Sequence, residues 1–93
     1  VELGKYGRMR RTFLIEHRPV LLNQLVLSGK LFPHLAEINQ TAEARLELLM
    51  TQLKEQNGVT EELKARDQMK WVAMMNSLKA QAEEIILTEL VYS

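Results

Sequence analysis

The sequence contains no cysteine, which excludes disulfides, thiolate metal sites and cysteine nucleophiles and suits a reducing compartment. Glycine and proline are scarce, with four and two residues in 93, and aromatic residues make up only 5%. So few turn formers and strand formers argue for helices joined by short loops. No apolar run reaches the roughly 18–20 residues that span a bilayer, and no basic start followed by an apolar stretch marks a signal peptide. A membrane or secretory reading therefore has no support. Net charge is also missing, because twelve basic residues balance twelve acidic ones. The balance is uneven along the chain. From Val1 to His34, Lys5, Arg8, Arg10, Arg11, Arg18 and Lys30 face only Glu2 and Glu16, and the remainder is correspondingly acidic. Such asymmetry marks either an anionic partner or two parts of one molecule that attract each other.

What is present is a chain 46% hydrophobic and 26% charged, too apolar for intrinsic disorder. At this length one modest core is expected, with about 60–65% of the unfolded surface buried. Residues 1–93 therefore read as one helical domain.

Residues 1–7, with Gly4 and Gly7 around Lys5 and Tyr6, read as an irregular basic lead-in. A short helix follows from Arg8 to about Arg18, where Pro19 ends it. Pro19 opens a second short helix and Gly29 closes it. Because Val20, Leu21, Leu22, Leu25, Val26 and Leu27 leave almost no polar side, this is expected to be the most buried element. From Pro33 to Gln56, Leu35, Ile38, Ala42, Leu46, Leu49 and Leu53 step by three or four along one helical face. Asn57-Gly58 stops that helix, and Thr60 caps the next, with Glu61 and Glu62 in its first turn. The last stretch is either one helix from Thr60 to Tyr92 or two with a bend near Arg66-Asp67. Trp71, Met75, Leu78, Ala82, Ile85 and Leu90 form its stripe. The expected fold is an all-α, compact small helical bundle, two short helices followed by a long antiparallel helical hairpin.

Few residues invite chemistry. Lys5, Arg8, Arg10, Arg11 and Arg18 offer charge for nucleic-acid phosphates and Tyr6 a ring for a base. The competing reading pairs these cations with acids of the long helices and sends Met9 and Phe13 into the core. A helix-turn-helix has its outline in Pro19 to Ile38. It is opposed by bulky Leu25 at a close-packing position and by Glu37 and Glu43 on the would-be recognition helix. His17 and His34 show no metal-ligand spacing, and Glu61-Glu62 and Glu83-Glu84 are sequence neighbours that diverge on a helix. With no nucleophile motif or phosphate loop, neither an enzyme, a metal, a cofactor nor a small-molecule substrate is expected. Met69, Met74 and Met75 around Trp71 read as core filling more readily than as an adaptable groove. Near the C-terminus, Ile86, Leu87, Leu90, Val91 and Tyr92 join Ile85 in covering most of the helix circumference. They must be covered by the Pro19–Leu27 helix or by a second copy, so self-association as a homodimer is expected of them.

In order, the blocks Lys5-Tyr6-Gly7-Arg8, Glu16-His17-Arg18-Pro19, Leu27-Ser28-Gly29-Lys30-Leu31, His34-Leu35-Ala36-Glu37-Ile38, Asp67-Gln68-Met69 with Trp71-Val72, and Ala82-Glu83-Glu84-Ile85 with Glu89-Leu90-Val91-Tyr92 run from Gly4 to Tyr92. Together they resemble the TnpV family of small transposon-encoded proteins. Members of that family generally carry a segment rich in Asp, Leu and Pro ahead of the first block, so the resemblance implies that an upstream segment is missing here. It further implies a bacterial cytoplasmic protein of conjugative or mobilisable transposons, and it supplies no catalytic or binding motif to map onto these residues. Proteins encoded beside a recombinase often assist excision or regulate the element, an association that favours DNA, or the recombination machinery, as the partner. The expected function is thus that of a non-enzymatic accessory protein acting through the basic N-terminal segment. The alternative is a helical interaction or dimerisation module that uses the apolar C-terminal helix and binds no nucleic acid.

Overall fold

The computed structural model describes residues 3–93, and the regular structure among them is helical throughout. Helix α1 spans Gly4–His17, α2 Pro19–Leu27, α3 Leu31–Gln56, α4 Glu61–Arg66 and α5 Gln68–Ile86, and a π-helical turn covers Leu87–Val91. The architecture is an all-α bundle in which α1 and α2 precede a long hairpin of α3 against α5. The α3 stripe points inward, with Leu35 and Ala42 fully buried and Ile38, Leu46, Leu49 and Leu53 half-buried. The hairpin turns at Gly58, whose φ of +66° lies in the left-handed region that favours glycine. The Thr60 hydroxyl accepts from the Leu63 amide at 3.2 Å and starts α4. Asp67 then accepts from the Lys70 amide at 3.1 Å and starts α5, so the chain does bend at Asp67. No helix among the described residues is long and apolar enough to cross a membrane.

Four sequence expectations are corrected. The irregular lead-in is helix from Gly4 onward, and its first two residues lie outside the described residues. The bundle is elongated instead of compact, measuring 55 × 23 × 18 Å. Its radius of gyration is 16.7 Å, against about 12 Å for a compact chain of this length. The cause is that α1 lies along the first half of α3, whereas the loop end of the hairpin carries only the short α4. There Val59 and Leu63 are buried, but Met69 at the start of α5 is 85% exposed.

The third correction concerns α2, which buries none of its residues fully. Its inward side, Leu21, Leu22 and Leu25, is half-buried, while Val20 and Leu27 are 69% and 87% exposed. A helix with so little polar surface normally sits in the middle of a fold, but here α1 occupies the place beside α3. The fourth concerns the chain end. Ile86 and Val91 are fully buried in the protein's own core, with Tyr6 of α1 and Ala42 of α3. Leu87 and Leu90 are half-buried against the same cluster, which leaves Tyr92 as the exposed member of the set expected to self-associate. The π-helical turn explains the burial. Residues five apart lie about 140° apart on an α-helix, but the wider i to i+5 turn brings them to one side. Tyr92 N donates to Leu87 O at 2.7 Å across this turn. Ile86 and Val91 consequently share the inner face in place of the expected Ile85 and Leu90.

Candidate nucleic-acid interface

Helix α1 sits close on α3 because its first turn has little bulk. Gly7 is buried, and a Cβ there would lie 3.1 Å from the Leu35 carbonyl oxygen and 3.2 Å from the Leu3 Cβ. Gly4 has a φ of +71°, and a Cβ there would meet the Asn39 amide at 2.5 Å. Helix α1 has no capping side chain of its own. Asn39 of α3 does that work, its Oδ1 accepting from Tyr6 N at 3.1 Å and Gly7 N at 3.3 Å. Two of the orphan amides of the helix start are thereby satisfied from another element.

This docking sorts the basic segment. Tyr6, Arg10 and Leu14, four residues apart, face inward and are buried. Arg10 Nη1 donates to the main-chain carbonyls of Val91 at 3.0 Å and Ser93 at 2.8 Å, and its Nε donates to His34 Nε2 at 3.3 Å. Its guanidinium also lies 5.6 Å from the centre of the Phe13 ring. Burial, and then the nearby charge of Arg18, push Arg10 below its ordinary pKa, though a guanidinium keeps its proton. His34 is pushed down by burial first and by Arg10 second, with Glu37 opposing, and its accepting Nε2 requires the neutral ring. Burial raises the Tyr6 hydroxyl above its usual range. The base-stacking role expected of Tyr6 and the phosphate role expected of Arg10 are therefore corrected. Both side chains belong to the core, and Arg10 is a clasp that ties α1 to the chain end.

The outward face of α1 carries the rest. Arg8, Arg11 and Arg18 are exposed, and among the described residues none of them has an ion-pair partner. Lys5 is exposed too, but it pairs with Glu83 of α5, whose hydrogen bond is the chief reason that its pKa is raised. Along the same helix runs a groove of about 570 Å³. Met9 and Phe13 form its floor and Tyr92 its far wall, while Lys5, Arg8 and Thr12 lie along its rim. Glu16 and His17 close one end. The Phe13 ring is 5.2 Å from that of His17 and 5.5 Å from that of Tyr92, both tilted. Sequence reading missed the groove because Tyr92 reaches it only through the terminal π-helical turn.

A family model described as transposon-encoded protein TnpV matches residues 1–91. The chain belongs to the TnpV family. That match takes in α1, the hairpin and the π-helical turn, and it ends one residue before Tyr92, so the α1 side of the groove lies within it and the Tyr92 side just beyond. No curated protein and no solved structure matches the chain.

Proposed function

We propose that this TnpV protein is a non-enzymatic, cytoplasmic accessory protein of a bacterial mobile element that holds DNA by its phosphates on the outward face of α1. The supporting observation is the row of exposed arginines, Arg8 and Arg11 on the cross-capped helix and Arg18 just past its end, unpaired among the described residues. The helical rise from Arg8 to the end of α1, where Arg18 follows, is about 15 Å, enough for the arginines to meet separate phosphates of a strand. In a titration of the element's end sequences across salt concentrations, log K should fall against log salt with a slope of about −2.7 for three phosphate contacts. An Arg8→Ala, Arg11→Ala, Arg18→Ala variant should keep its helical spectrum, lose most of the slope and bind roughly 10- to 100-fold more weakly at low salt. Failure of the wild type to bind at low salt would sink the proposal.

A second reading is favoured by the exposed apolar line of α2. Val20 and Leu27, two turns apart, lie on one side with Asn23 between them, and Phe32 stands just past the turn, 60% exposed. No charged residue occurs from Pro19 to Gly29. Such a surface suits a second copy of itself, since a two-fold contact sets the uncharged helix against its own equivalent and needs no complementary charge. The patch is on the order of a few hundred Å², less than the roughly 800 Å² per partner of a standard stable interface, so the dimer should be weak. Sedimentation equilibrium from tens to hundreds of micromolar should show a concentration-dependent dimer that Leu27→Glu abolishes. A strictly monomeric wild type across that range would rule it out.

A further inference from the structure

We propose that the groove between α1 and Tyr92 takes one unpaired nucleotide, its base against Tyr92 and its phosphate on Arg8, so that single-stranded DNA is the preferred form of ligand. The proposal rests on the DNA-binding reading above and specifies the ligand of that face. The groove volume of about 570 Å³ is that of a small-molecule site. Its aromatic wall is already half built. One side of the Tyr92 ring leans on Phe13 at 5.5 Å, yet Tyr92 remains 46% exposed, which leaves ring surface for a base. Phe13, on which Tyr92 leans, is itself in contact with His17 and with the Arg10 guanidinium, so the ring behind Tyr92 is packed before any ligand arrives.

The charges set an orientation. Arg8 has no ion-pair partner among the described residues and stands on the rim beside Thr12, whereas Glu16 closes one end of the groove. A phosphate is drawn to the Arg8 end and repelled from Glu16, and the Glu16 carboxylate can accept from the exocyclic amine of cytosine or adenine. Lys5 adds to the phosphate end only in competition with Glu83. A duplex cannot use the groove, since its bases are stacked and paired; it is left with the arginine edge alone.

The test is fluorescence anisotropy at low salt with a labelled oligo-deoxycytidine strand, a duplex of the same length, and free deoxycytidine monophosphate as competitor. The strand should bind roughly tenfold more tightly than the duplex. Tyr92→Leu should lose roughly tenfold on the strand and nothing on the duplex, and Tyr92→Phe should keep the strand affinity. Free nucleotide should compete only in the millimolar range. The inference is overturned if the duplex binds as tightly as the strand, if Tyr92→Leu binds the strand like wild type, or if free nucleotide outcompetes the strand. Arginine-dependent duplex binding with no Tyr92 effect leaves the α1 reading standing and removes only this one, whereas no binding of either DNA removes both. Unchanged Trp71 fluorescence and melting in the Tyr92 variants shows that the fold is intact.

Discussion

Replacing Arg10 with methionine should lower the stability of the folded chain by about 2–4 kcal/mol, which for a domain of this size is roughly 10–20 °C in melting temperature. Methionine fills much of the same volume and keeps contact with Phe13, but it donates nothing. The buried Val91 carbonyl and the adjoining Ser93 carbonyl would each lose a charge-assisted donor, and His34 Nε2 would lose the N–H that it accepts. Removing a buried cation also recovers its desolvation cost, and where a carboxylate partner leaves with it the two effects can cancel. Here the acceptors, two main-chain oxygens and a neutral imidazole nitrogen, all stay behind, so the loss prevails. Urea unfolding followed by Trp71 fluorescence measures the change, and amide exchange over residues 87–93 should show that segment opening first. A variant within about 0.5 kcal/mol of wild type would mean that the clasp contributes little.

Gly7→Val should be of similar severity, about 3 kcal/mol, and should act on a different contact. The added Cβ alone is crowded by the Leu35 carbonyl at 3.1 Å, and that atom is main chain inside α3 and cannot rotate aside. The two further methyls of valine have no space, so α1 must lift from α3. Lifting breaks the bonds from Tyr6 N and Gly7 N to Asn39 and exposes Tyr6, Leu14 and Leu35, all of them buried now. Circular dichroism should show lost helix and thermal melts a lower midpoint, with Gly7→Ala intermediate because only the single Cβ contact must be relieved. Wild-type stability in Gly7→Val would show that α1 does not depend on this close approach.

These two residues also show where the sequence was readable. The α3 stripe, the Asn57-Gly58 stop and the Thr60 cap were legible because each depends on local spacing or on a single local hydrogen bond. The family was legible for another reason, since ordered blocks along the whole chain carried it. Gly4 and Gly7 suggest a loop because glycine usually breaks helices. Their actual role, clearance for α3, requires knowing which helix lies opposite. Once α1 begins at Gly4, Tyr6, Arg10 and Leu14 fall into line at steps of four, and Arg10 separates from Arg8 and Arg11. Composition alone made these three arginines equivalent. The burial expected of α2 failed for a related reason: apolar character says that a helix prefers cover, but competition for the same place beside α3 decides which helix gets it. The π-helical turn was out of reach of any α-periodic reading.

The Arg10 clasp closes across 81 residues of sequence, and this distance has a meaning for the order in which the protein becomes functional. At about 5–20 residues per second of synthesis, Arg10 exists for roughly 4–16 s before its carbonyl acceptors are made. During that interval the nascent segment presents Arg8, Arg10 and Arg11 together as undifferentiated charge, with no aromatic wall beside them. Any polyanion near the ribosome meets only that charge. If the groove takes a nucleotide as proposed, discrimination between forms of nucleic acid is acquired only when the terminal turn folds back onto α1.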